Sequence, residues 1–131
     1  MAFEFGKGYW KTFKEGIERE WVITNGLGGY GGGSVINARA RQHHAYLVAS
    51  LHAPVKRYAV LDKTDECVRI EDREYSFAAN QRPGDNNEEG QIYQQRFIYD
   101  ELPQFVYQAE GLFLTKTLAF EWEKNTLAIG Y

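Results

Sequence analysis

The chain reads as an all-β protein, an antiparallel β-sandwich of the supersandwich kind left incomplete at its C-terminus. Three features predict this. Short apolar segments alternate with clusters of turn residues along most of the 131 residues. The run Leu112 to Trp122 puts Leu112, Leu114, Leu118, Phe120 and Trp122 on one face, with Lys116 the only polar interruption. Phe113, Thr115, Thr117, Ala119 and Glu121 fall on the other, the pattern of a strand buried on one side. Finally, helical periodicity is scarce: Tyr9 to Arg19 is the one candidate helix, and Gly16 weakens it.

In order, Glu20 to Thr24 is a candidate strand, followed by a glycine-rich loop over Asn25 to Ser34 with six glycines in ten positions. His44 to Leu51 is apolar and strand-like, and Ala53-Pro54 breaks it. Arg57 to Leu61 and Cys67 to Ile70 are further strands, and Glu71-Asp72-Arg73 turns the chain into Glu74 to Ala78. Asn80 to Gly90 is rich in Asn, Gly and Pro and reads as a long polar loop. Ile92 to Tyr99 is the next strand, then Gln104 to Ala109, joined by Glu110-Gly111 to the strand at Leu112. Leu127, Ile129 and Tyr131 open one more strand, where the sequence stops without a turn or polar tail. The expectation is a single domain over residues 1–131, cut within a larger parent.

Bulk composition narrows the function. A net charge of −3 with scattered Lys and Arg offers no basic face for a phosphate backbone, so nucleic acid is not an expected partner. No apolar run approaches a membrane span, and Met1 to Gly6 lacks the basic and apolar regions of a signal peptide. One cysteine, Cys67, permits no internal disulfide and suits a reducing compartment, so the expected location is the cytoplasm. Cys67 itself is expected to be a small packed residue. Aromatics reach 15% of the chain, enough for both a sandwich core and flat platforms against sugar rings.

Gly26-Leu27-Gly28-Gly29-Tyr30-Gly31 matches G-x-G-x-x-G after a strand, but Gly32-Gly33 aborts the helix a dinucleotide site requires, and Tyr46 to Leu51 holds no acid for a ribose. The glycines serve positive φ and close backbone approach instead. His43-His44 invites a metal, yet neighbours in a strand point to opposite faces, and no ligand spacing fits even with Asp62, Asp65 or Glu66. No metal or other cofactor is expected. The Asp62, Asp65 and Glu66 cluster is too close in sequence to be the carboxylate pair of a glycosidase and reads as a solvated turn. No nucleophile elbow or Ser-His-Asp set is visible, so no catalytic residue is assigned.

Glu20-Trp21-Val22-Ile23-Thr24-Asn25-Gly26-Leu27-Gly28-Gly29-Tyr30 resembles the opening signature of the N-terminal domain of bacterial and archaeal glycogen debranching enzymes, the amylo-α-1,6-glucosidase type. The likeness runs on through Arg41 to Ala49, Pro54 to Arg57, Leu61 to Glu66, Pro103 to Tyr107, Lys116 and Asn125 to Leu127, covering Arg19 to Tyr131. Where the family shows Asn-Thr-Arg-Arg-Tyr-His-Gly, this chain has Arg39 to Ala45, with Arg41 and His44 matching. The resemblance implies a β-sandwich ahead of an (α/α) barrel that carries the hydrolytic carboxylates. It implies a role for this chain in supporting the barrel and shaping its α-glucan cleft (glycogen or maltooligosaccharide). Trp21, Asn25, Tyr30, Arg41, His44, Asp62 and Asp65 are then the residues to contact glucan or barrel. An independent α-glucan-binding module is the alternative, suggested by Trp21, Tyr30, Arg41 and His44 around the glycine loop. A third reading is an unrelated enzyme using the acidic cluster and His44. An unpaired edge strand in a cut sandwich predicts a homodimer or strand exchange.

Overall fold

The computed structural model describes residues 2–52 and 55–131. Ala53-Pro54, and the break expected there, lie outside the described residues.

Among the described residues, thirteen strands form two main antiparallel sheets and two small hairpins. The five-stranded sheet runs β1 (Phe3–Gly6), β10 (Gln94–Asp100), β11 (Leu102–Ala109), β12 (Leu112–Phe120) and β13 (Leu127–Gly130). The four-stranded sheet runs β2 (Glu20–Thr24), β3 (Tyr30–Ser34), β4 (Ala45–His52) and β5 (Val55–Leu61). Between them in sequence come the hairpin β6 (Cys67–Ile70) with β7 (Arg73–Ser76) and the two-residue pair β8 (Ala79–Asn80) with β9 (Glu88–Glu89). The antiparallel sandwich is therefore as the alternation predicts.

The core lies between the main sheets. Trp21 and Ile23 on β2 and Tyr46 on β4 meet Phe97 on β10, Phe105 and Tyr107 on β11 and Leu118 on β12. Trp21 and Phe105 stand edge to face at 6.2 Å, and Phe77 stacks on Tyr107 at 4.6 Å. Each such ring contributes about 1.5–3 kcal/mol by leaving water, so these side chains hold the sheets together.

Several local expectations are corrected. The helix candidate shrinks to α1 (Phe13–Gly16), where Thr12 caps the Glu15 N–H at 3.2 Å in a capping-box sequence and Gly16 packs on Ile36. The glycine-rich loop is half strand: Tyr30–Ser34 pairs with β2, with Val22 opposite Gly32. Glycine has poor strand propensity, but this strand is fixed by close approach: a Cβ at Gly31 would lie under 3.0 Å from the Tyr46 carbonyl oxygen. Ile92 sits in a 3-10 turn, not a strand, and Asn80 to Gly90 contains a short strand pair. The strand from Leu112 stops at Phe120, which turns Trp122 out into the β12–β13 turn. Cys67 is exposed at the start of a peripheral hairpin, not packed. Glu110 and Gly111 both have positive φ, 49° and 82°, the conformation that matches a hairpin's twist. Among the described residues, no helix is long and apolar enough to cross a membrane.

Candidate functional site

The alternation of β2 turns Trp21 and Ile23 inward and presents Glu20, Val22 and Thr24 on the outer face of the four-stranded sheet. Opposite Val22, Gly32 presents no side chain, so the face is hollow at the middle of the β2–β3 seam. Two grooves of about 370 and 440 Å³ result, meeting at Val22 and Tyr30. The first is closed by Glu20, His43 and His44, and the second by Gly28 and Arg57, whose Nε donates to the Gly28 carbonyl at 2.8 Å.

The charged end is a relay centred on Glu20. Its Oε1 accepts from His44 Nε2 at 2.7 Å and from Arg41 Nε at 2.5 Å. His44 Nδ1 accepts the Ala40 N–H at 3.1 Å, so the ring proton sits on Nε2 and the imidazole is neutral. Burial holds the His44 pKa below its ordinary value, outweighing Glu20, which pulls the other way. Tyr30 donates its hydroxyl to the His43 carbonyl at 3.1 Å, fixing the turn that carries both histidines.

The unfolded chain therefore takes up a proton at this position before the folded one does. The stability this group contributes is full above about pH 6.5 and falls as pH drops from there toward the lowered folded value. His44→Gln is expected to flatten that part of the curve. Urea midpoints at several pH values check it, and an acid slope unchanged in the variant contradicts it.

The two histidines lie in a turn, not a strand, so the expectation that they point apart fails: their rings meet edge to face at 5.1 Å. Glu20, His43 and His44 offer ligand atoms within 4.8 Å of one another. Ligation by His44 Nε2 would move its proton to Nδ1 and break the bond from Ala40, and Arg41 already occupies Glu20. The geometry is that of a hydrogen-bonded relay rather than a prepared cation site.

The predicted residues separate into groups. Tyr30, Arg41 and His44 come together at the groove. Trp21 lines it but is only 5% exposed, and its indole N–H is taken by the Ser34 carbonyl at 3.1 Å. It is a core residue, not a sugar platform. Asn25 is fully buried: its Oδ1 accepts from Leu27 and Gly29 N–H, and its Nδ2 donates to the Lys124 carbonyl and Asn125 Oδ1. It knots the glycine loop to the β12–β13 turn. Asp62 lies on an exposed rim, 3.8 Å from Arg39.

Asp65 belongs to a second cluster, with Lys63 at 2.7 Å and Asn80 at 3.1 Å. At its centre is Lys116, the polar interruption of the β12 pattern, with a wholly buried side chain. Its Nζ reaches Glu66 Oε2 at 2.8 Å and the Thr64 carbonyl at 2.8 Å, and lies 4.7 Å from the Tyr46 ring centre. Glu66 also accepts from Tyr131 and Thr64 hydroxyls at 2.7 and 2.8 Å. Glu66 is thus a clamp on a buried cation, whereas Asp62 and Asp65 stay exposed, as a solvated turn would have them. Glu20 and Lys116 were missing from the sequence-based site. An acid opening a strand gives no signal, whereas a lysine on an apolar face does.

Among curated proteins and solved structures, none matches the chain. The family described as glycogen debranching enzyme N terminal matches residues 19–131, the span over which the sequence resemblance runs. The chain belongs to that family of glycogen debranching enzyme N-terminal domains.

Proposed function

We propose that the chain is a non-catalytic platform of a glycogen debranching enzyme, supporting the α-1,6-glucosidase barrel of its parent and lending one wall to the glucan cleft. The observation that carries this reading is the exposed apolar set on the four-stranded sheet. Leu51, Tyr58 and Val60 are all more than half exposed and share one face of the neighbouring strands β4 and β5. Exposed apolar side chains grouped on one sheet mark a surface that a partner covers. The carboxylates agree with this reading. Glu20, Asp65 and Glu66 are each engaged by cations, whereas glycoside hydrolysis requires a carboxyl able to donate its proton.

Tyr58→Asp and Val60→Asp are expected to melt like the wild type in the isolated domain, because both side chains are already in water. In the parent enzyme they are expected to lower thermal stability and to cut branch hydrolysis by about fivefold or more, the usual loss at an interface anchor. A parent chain that keeps full stability and activity without residues 1–131 refutes the reading.

A second reading, an independent α-glucan-binding module, is favoured by the groove that Tyr30, Arg41 and His44 share. A cytoplasmic location belongs to the same proposal, and an exposed, unpaired Cys67 suits a reducing compartment. So does a homodimer through an open sheet edge, with β13 as the pairing strand. The β5 edge is guarded by exposed Lys56 and Arg57 and by a register shift against β4.

A further inference from the structure

We propose that Trp122 is a stacking platform for a glucose ring of an α-glucan, a subsite outside the Glu20–His44 relay. This rests on the reading that the parent works on glucan. Of the three tryptophans, Trp10 and Trp21 are 4% and 5% exposed and serve the core, whereas Trp122 is 66% exposed. An indole left in water forgoes the largest apolar burial any side chain offers, so its position requires a reason.

The ring is not loose. One side lies on the backbone of Gly26, where a Cβ would come within 2.8 Å of Cη2 and Cζ2. Gly26 has φ +82°, so both its conformation and the indole above it require glycine. The turn that carries Trp122 is tied to the same loop: the Glu123 N–H donates to the Asn25 carbonyl at 2.7 Å, and Asn25 Nδ2 donates to Asn125 Oδ1 at 2.9 Å. The buried Asn25 knot thereby fixes the platform, so little entropy is lost when a ligand stacks on it.

The surroundings select the ligand. Glu121, Glu123 and Lys124 are exposed around the indole, and Lys124 pairs with Glu121 at 2.7 Å. The core of a protein–protein interface is depleted of Glu and Lys. A pyranose needs this combination: a flat apolar surface for its C–H face and polar groups at the rim for its hydroxyls. Gly26 also lines the 440 Å³ groove that leads to Tyr30, so a glucan seated on Trp122 continues into it.

The burial pattern makes Trp122 the one indole open to solvent, and acrylamide quenching reads it directly. Millimolar maltoheptaose is expected to shield the quenchable emission saturably, while glucose at the same concentration shields it weakly. Trp122→Ala is expected to weaken maltoheptaose binding, measured by calorimetry, by about tenfold or more, the value of one aromatic stack. Trp122→Phe, with a smaller ring, is expected to fall between. Near-ultraviolet circular dichroism of the buried Trp10 and Trp21 verifies that the variants are folded. Maltoheptaose binding that survives Trp122→Ala overturns the Trp122 assignment and leaves the glucan reading standing. No binding by folded wild type also overturns it, and turnover of branched glucan by the parent then decides the broader reading separately.

Discussion

Glu66→Ala is expected to cost the domain about 3–5 kcal/mol, the usual consequence of leaving one member of a buried ion pair alone. The Lys116 side chain is wholly buried, and with Glu66 gone its ammonium keeps the Thr64 carbonyl and the faces of Tyr46 and Phe105, with no anion. A domain's whole stability is about 5–15 kcal/mol, so the variant sits near its folding threshold. Removing the cation instead is milder. In Lys116→Met the Glu66 carboxylate still accepts from Tyr131 and Thr64, and the methionine fills the apolar space of the lysine stem. The double variant Glu66→Gln with Lys116→Met is expected to recover much of what Glu66→Ala loses. Urea unfolding followed by circular dichroism checks the series, and a loss below about 1 kcal/mol for Glu66→Ala contradicts the buried-pair account.

The same pair has a pH signature. Burial lowers the Lys116 pKa, and Glu66 opposes that only in part. As pH rises, the folded state therefore releases the lysine proton before the unfolded state does. Stability contributed by this group increases with pH between the lowered value and about 10.5, and Lys116→Met removes that slope. The clamp also matters to the groove, because the segment it pins carries Asp62, whose carbonyl accepts the Tyr46 N–H at 2.9 Å.

What could be read from the sequence follows from how each element is held. Glu20 to Thr24 and Cys67 to Ile70 were legible to the residue, since alternation alone defines a half-buried strand. β3 was not, because its stability comes from absent side chains that let β2 and β4 close on it, which no propensity scale records. Trp122 was misplaced for the opposite reason: alternation continues past Phe120, but Glu123 adopts φ 59° and the strand ends. At the site, Arg41 and His44 are named in the sequence through the family resemblance and their nearness to the glycine loop. Their partner Glu20 lies 24 residues before His44, and only the sheet brings them together. Lys116 was visible as an exception, but its meaning needed Glu66, 50 residues away.

Gly31→Ala is expected to destabilise by about 1–3 kcal/mol or more, whereas Gly33→Ala, two residues along the same strand, is expected to be near neutral. The contrast isolates close approach from flexibility. Neither glycine has the positive φ that would penalise alanine by itself. At Gly31 the new Cβ would strike the Tyr46 carbonyl oxygen, with Phe120 at 3.2 Å beyond. Because the first obstacle is backbone, no rotamer relieves it, and β3 must part from β4. At Gly33 the nearest atoms are the Trp21 indole at 3.5 Å, an ordinary contact. Parting β3 from β4 displaces Tyr30 and the turn holding His43 and His44, so Gly31→Ala is expected to disturb the groove as well as the melting temperature. Thermal melts of the two variants, with the His44 resonances as a local reporter, check both parts. Equal melting would mean that the sheet yields freely at β3, and the glycine signature would then belong to whatever occupies the groove rather than to the packing beneath it.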